Sequence, residues 1–197
     1  SEPHLSASMT GVLGSRFDGG ALWSGEGDQR YKLAMNNFLA EVPEFFLENS
    51  NFIGSYPSFE SLPKDIGSEI AFCGRSNCGK SSVLNAITNN KKLAKTSKTP
   101  GRTQSINVFE IDKNKQFKII DLPGYGYAKV SKSIRADWGV SIDNYLNKRK
   151  CLKALVIIMD IRHPLKEDDL TLINWCEANN LPLIVLLNKS DKLSKNK

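Results

Sequence analysis

Histidine is almost missing from this chain: 197 residues hold two, His4 and His163. The four cysteines, Cys73, Cys78, Cys151 and Cys176, show no paired spacing of the metal-ligand kind. With so few donors a zinc centre is not an organising feature, and unpaired thiols suit a reducing cytoplasm. No run approaches the roughly 20 apolar residues of a membrane-spanning helix, and the N-terminus has no apolar core of the signal-peptide kind. Acidic residues are absent between Lys91 and Arg102, where Lys91, Lys92, Lys95, Lys98 and Arg102 stand without a counter-charge. That local imbalance says more than the net charge of +6, because a concentrated patch attracts phosphate or RNA whereas scattered charge merely solvates. A second basic cluster, Lys148, Arg149, Lys150 and Lys153, reads equally well as solvated surface.

What is present is a composition of 40% hydrophobic and 24% charged residues, enough for one domain with a substantial core. Its organising stretch is EIAFCGRSNCGKSS, Glu69 to Ser82. The apolar run Ile70, Ala71, Phe72, Cys73 reads as a buried strand, and it feeds straight into the pattern G-x-x-x-x-G-K-[ST]. Its members are Gly74, Arg75, Ser76, Asn77, Cys78, Gly79, Lys80 and Ser81, with Ser82 following. Two glycines let the backbone turn so that successive N–H groups face phosphate oxygens, and the positive end of the next helix adds to the attraction. Lys80 is expected to reach the β- and γ-phosphates and the Ser81 hydroxyl to coordinate Mg²⁺. A chance Gly-rich turn would lack the flanking context, whereas Val83, Leu84 and Ile87 recur here at helical spacing.

Residues 1–34 hold six of the 14 glycines and no sustained period, so they read as a flexible leader, with Met35 a candidate natural start. Residues 35–68 read as a lead-in packed on the outside, with a short helix over 36–49 interrupted at Pro43 and an extended segment over 52–63. From Glu69 onward strand and helix alternate, which predicts a mostly parallel sheet with helices on both faces. Ser105 to Ile111 and Gln116 to Asp121 are expected to form an antiparallel hairpin, contributing the one antiparallel strand. A helix over about 131–148 presents Ile134, Trp138, Ile142, Tyr145 and Leu146 on one face. The strand Ala154 to Met159, a helix near 166–178 and the strand Leu183 to Leu187 follow.

Three further motifs specify the chemistry. Asp121, Leu122, Pro123 and Gly124 end a hydrophobic strand, where the carboxylate can hold Mg²⁺ through water and the Gly124 amide can face the γ-phosphate. Asn188, Lys189, Ser190 and Asp191 close the last apolar strand. There the Asp191 carboxylate can accept from guanine N1–H and its amino group, Asn188 can face the O6/N7 edge, and the Lys189 stem can lie along the ring. Adenine would leave that buried acceptor unpaired, so the set discriminates strongly. Thr99 to Gln104, including Gly101, Arg102 and Thr103, falls where a mobile loop would cover the γ-phosphate, and Thr103 is the candidate for a second hydroxyl on Mg²⁺. Lys80, Thr103 and Gly124 are thus the candidate catalytic groups. Asp160 and Arg162 read as structural, and His163 is given no general-base role.

The ordered series GRSNCGKSS, KTSKTPGRTQSIN, DLPGYGYA, MDIRHPLKEDD and NKSD resembles the EngB family (also called YihA or YsxC) of bacterial ribosome-assembly GTPases. The likeness runs from about Phe52 to the end. It implies a P-loop GTPase fold, cytoplasmic GTP and GDP binding with Mg²⁺, slow hydrolysis, and action in maturation of the large ribosomal subunit through rRNA or a ribosomal protein. It implies a part in cell division, and no DNA partner. Where Ras-like proteins place a glutamine this chain has Tyr125, which implies low intrinsic turnover. In related GTPases an asparagine in the phosphate loop helps bind potassium; Asn77 stands at that position, with Arg102 as a weaker alternative source of positive charge. The family pattern continues beyond Asp191 with a strand, a serine-containing loop and a helix. A domain over 69–197 lacking them is expected to expose Leu183 to Leu187 as a sheet edge, and to bind nucleotide more weakly than a complete relative.

Overall fold

The computed structural model describes residues 12–13, 50–88, 90–94, 105–112, 116–126 and 132–192. The expected helix over 36–49, the hairpin turn near 113–115, and the loop carrying Gly101, Arg102 and Thr103 lie outside the described residues.

Seven strands form one sheet: β1 (Val12–Leu13), β2 (Asn51–Tyr56), β3 (Ser68–Gly74), β4 (Ile106–Asp112), β5 (Phe117–Asp121), β6 (Leu152–Asp160) and β7 (Leu183–Asn188), in the order β1-β7-β6-β3-β5-β4-β2. Every neighbouring pair is parallel except those that β4 makes with β5 and β2. A single strand of the seven therefore runs against the others, as the hairpin pattern predicts. Three helices accompany them among the described residues: α1 (Lys80–Ile87), α2 (Lys132–Lys148) and α3 (Glu167–Ala178).

The central strands show why this sheet is parallel and interior. β3 and β6 bury nearly every residue on both faces, which is how a strand covered on both sides reads: a continuous apolar run without alternation. One face packs Ala71, Ile120, Leu155 and Ile157 against Ile142, Tyr145 and Leu146 of α2 and Ile173 and Cys176 of α3. The other packs Phe72, Phe109, Ile119, Val156 and Ile158 against Val83 and Leu84 of α1. α1 stops after two turns: the Thr88 hydroxyl bonds back to the Leu84 carbonyl at 2.7 Å, and the Asn85 side chain turns the chain by accepting from Ala94 N–H at 2.7 Å.

Three expectations are refined or changed. Residues 51–56, expected as an extended lead-in on the outside, are extended and hydrogen-bond to β4 as the outermost strand; no residue of it is buried, so no alternation announces a strand there. The β7 edge is not bare either: Val12 and Leu13 pair in parallel with Val185 and Leu186. An apolar edge of unpaired backbone groups is a template for any extended segment within reach. Finally, Arg149 belongs to no solvated cluster. It is buried and clamps the fully buried Glu69 carboxylate through Nε at 2.9 Å and Nη2 at 2.6 Å, while the Tyr145 hydroxyl donates to the same carboxylate at 3.0 Å. Lys148, Lys150 and Lys153 remain exposed.

Candidate functional site

Four parallel strands end along the same sheet edge: β3 at Gly74, where the loop begins, and three that deliver polar side chains, Asp121 from β5, Asp160 from β6 and Asn188 from β7. The C-terminal edge of a parallel sheet is where open α/β folds bind ligands, since the loops leaving it diverge to either face. β3 sits between β5 and β6 at that divergence.

The loop from Gly74 to Gly79 is built for close backbone approach. Asn77 and Gly79 both take left-handed conformations, at φ 66° and 95°. A side chain on Gly74 would press within 2.5 Å of the Ile158 carbonyl and 2.7 Å of the Cys78 sulfur, and one on Gly79 would overlap the Asn188 amide nitrogen. Cys78 is buried, and burial pushes its thiol up to about 11 despite the nearby Lys80 ammonium. It packs the loop and is not a nucleophile. Asn77 and Ser82 face solvent, with Ser81 half-buried in the first turn of α1. The Lys80 ammonium pairs with the Asp121 carboxylate, whose other oxygen accepts from Asn107 Nδ2 at 3.1 Å. The lysine expected to serve phosphate and the carboxylate expected to serve magnesium thus stand side by side.

Leu122 and Gly124 follow on the segment that leaves β5. Leu122 is buried and donates its N–H to Phe72 at 2.9 Å; Pro123 is buried beside it. Gly124 lies against Ser76, so close that a Cβ there would sit 3.2 Å from the Ser76 hydroxyl oxygen. Arg75 contributes backbone to the loop, but its guanidinium turns away to Asp168 of α3 at 3.0 Å.

At the base end, Asn188 does two jobs at once. Its Nδ2 donates to the Cys78 carbonyl at 2.9 Å, tying the last strand to the phosphate loop, and its Oδ1 accepts from Lys189 N–H at 2.8 Å. Lys189, itself left-handed at φ 66°, sends its ammonium to the Asn77 carbonyl and to Asp160 Oδ2 at 3.1 Å. Asp160 is held well below the usual carboxylate range, first by the Arg162 guanidinium at 2.6 Å and then by Lys189. Asp191 is exposed, its carboxylate 3.1 Å from Lys192, and Ser190 opens the short turn that carries it.

The structure therefore joins the phosphate loop, Asp121, Gly124 and the Asn188–Asp191 turn on one edge. Reasoning from sequence missed Asp160 as a partner of the guanine motif; its place at the end of a strand parallel to those bearing Asp121 and Asn188 was the available signal. It also missed Asp169, whose buried carboxylate meets Tyr125, and no local pattern announces that contact.

A phosphate loop at the end of one strand, an acidic residue at the end of the next and an Asn-Lys-x-Asp turn at a third define a P-loop GTPase. Residues 69–189 match the model of a family described as 50S ribosome-binding GTPases. The chain is 55% identical over 146 residues to a probable GTP-binding protein EngB of Haemophilus influenzae (strain PittEE), spanning 74% of this chain and 70% of that one. It is 54% identical over 147 residues to its counterpart in Enterobacter sp. (strain 638), spanning 75% and 70%. A solved crystal structure of a probable GTP-binding protein engB superposes with a TM-score of 0.50 at 27% identity, covering 65% of this chain and 74% of that one. The chain belongs to the EngB family of GTP-binding proteins.

Proposed function

We propose that this protein is a slow GTP-hydrolysing switch that acts on the large ribosomal subunit during its assembly, with a consequent part in cell division. The observation that carries the reading is the Asn188–Cys78 hydrogen bond, which ties the turn proposed to read the base directly to the loop proposed to hold the phosphates. Mg²⁺ suits the donor set. The described residues hold no group of three His, Cys, Asp or Glu side chains that could cage a metal. Such a site gains the ion together with phosphate oxygens, and Mg²⁺ prefers that arrangement. Ser81 and Asp121 are its protein donors, Thr103 the third expected one, and the bound ion would neutralise charge on the β- and γ-phosphates. Residues 1–34 as leader, 35–68 as a lead-in that includes β2, and 69–197 as the nucleotide-binding unit complete the organisation, in a cytoplasmic protein.

The basic run beginning at Lys91 and Lys92, both exposed, suits contact with rRNA or an rRNA-bound protein. The name of the matching family, which refers to the 50S ribosome, supports that partner. Asn77, exposed in the phosphate loop, is our candidate to share a potassium ion with the nucleotide. The test is co-sedimentation with ribosomal subunits in GDP and in a non-hydrolysable GTP analogue. Analogue-dependent binding to the large subunit is expected, and equal failure in both states would overturn the reading. Lys80→Ala should abolish nucleotide binding, and Asp191→Ala should erase the preference for GTP over ATP.

A second reading, a guanine-nucleotide module without appreciable catalysis, is favoured by one observation: the Tyr125 phenol is engaged by Asp169 at 2.6 Å, so it does not orient an attacking water. Single-turnover hydrolysis with and without subunits, in sodium and in potassium, separates the two.

A further inference from the structure

Tyr125 is held at three points. Its N–H donates to the Gly74 carbonyl at 3.2 Å, its carbonyl accepts from Ser76 N–H at 2.8 Å, and its buried hydroxyl donates to Asp169 Oδ1 at 2.6 Å. The first two contacts form a parallel bridge between the phosphate loop and the segment after Asp121. The third reaches across to α3. Asp169 is only 1% exposed, and its second oxygen accepts from Lys166 N–H at 2.9 Å, capping the helix. Its carboxylate therefore cannot swing: one oxygen is fixed by the helix terminus, which aims the other at the phenol. Burial is the main reason the phenol stays protonated, pushed far above its ordinary range, with the Asp169 carboxylate adding to it. The hydrogen bond is thus a permanent donor-to-anion contact, of the stronger charge-assisted kind. Arg75 adds a second strut from the same loop to the same helix, through Asp168 at 3.0 Å and the Gly126 carbonyl at 3.4 Å.

The residue pinned between these contacts is Gly124, which packs on Ser76. We propose that Asp169, acting through Tyr125, is a positioning residue for the γ-phosphate: it holds the amide of Gly124 against the phosphate loop, so that the amide is aimed before the nucleotide arrives. This rests on the reading of Gly124 as the γ-phosphate amide. Its consequence is specific to one ligand. GDP carries no γ-phosphate, so a loosened Gly124 costs affinity for the triphosphate more than for the diphosphate.

The test compares affinities for GDP and a non-hydrolysable GTP analogue in wild type, Tyr125→Phe, Asp169→Ala and Asp169→Asn, each with a thermal melt. Tyr125→Phe keeps the ring and removes the donor. It should lower the ratio of analogue to GDP affinity about fivefold, the worth of one net hydrogen bond, and Asp169→Ala should do the same where it folds. Asp169→Asn should restore much of the ratio, because its amide oxygen can still cap Lys166 and its NH₂ can donate to the phenol oxygen. A folded Tyr125→Phe protein whose two affinities fall equally, or not at all, would overturn the positioning role while leaving guanine-nucleotide binding intact. A wild-type protein that binds neither nucleotide would overturn both.

Discussion

Gly79→Ala tests whether the phosphate and base ends of the site are one unit. Gly79 adopts φ 95°, a region where a Cβ meets the following carbonyl at a cost of about 1–2 kcal/mol. The added methyl would also overlap Asn188 Nδ2, and that nitrogen can move only by giving up its bond to the Cys78 carbonyl. Leaving those part-buried groups unpaired costs about 1–3 kcal/mol. The sum, about 3.5 kcal/mol at mid-range, corresponds to about 300-fold in nucleotide affinity. Asn188→Ala alone removes the same bond and the proposed contact with the base. In the double variant the obstructing nitrogen is gone, so the overlap term vanishes and the two costs should fall short of adding by about 1–3 kcal/mol. Calorimetric titration of GDP into the four proteins reads this directly. Additivity within about 0.5 kcal/mol would falsify the linkage, for then Asn188 would not stand in the way of residue 79.

Other expectations follow from the same geometry. Arg149→Met strands the Glu69 carboxylate in the core, and breaking a buried pair costs about 3–5 kcal/mol. A circular-dichroism melt should fall by about 10 °C, and Glu69→Leu in the same chain should recover part of it; a melt unchanged within about 2 °C would contradict the clamp. Asp65 titrates at about 2: burial alone would raise it, but the Cys151 thiol, the N–H groups of Lys150 and Cys151 and the Arg149 charge more than offset that. Its folded value lies below its unfolded one, so the ionised form stabilises above about pH 4 and that contribution is lost as pH falls toward 2. Asp65→Asn should flatten this acid limb by about 1 kcal/mol, a small figure because solvent screens the exposed carboxylate, and an unaltered limb in a pH series of urea melts would refute it. Asp160→Asn should loosen Lys189 and lower GDP affinity about fivefold, with the loss absent from inorganic triphosphate binding if Lys189 serves the base alone.

Much of this site is legible along the chain because its groups lie in contiguous motifs. The apolar run into Gly74 could only be a buried strand, and two glycines five residues apart with Lys80 and Ser81 could hardly serve anything but phosphate. Strands β3 to β7 and helices α2 and α3 fall within a residue or two of where hydrophobic period and turn residues place them. Arg149 was illegible because its neighbours in sequence are exposed lysines, and only the fold brings the Glu69 carboxylate, 80 residues away, against it. β2 was illegible as a strand for a related reason: an outermost strand buries too little to impose alternation.

By itself the amino-acid order determined the alternating strands and helices, the phosphate loop, the base-reading turn and their succession, since each depends on residues within a few positions of one another. The tertiary structure alone decided that Asn188 ties to Cys78, that Asp160 steers Lys189, that Tyr125 plugs into Asp169 and that Val12 and Leu13 join the β7 edge. Those contacts depend on which strands become neighbours, and strand order is set by the packing of the whole core, which no local stretch of sequence carries.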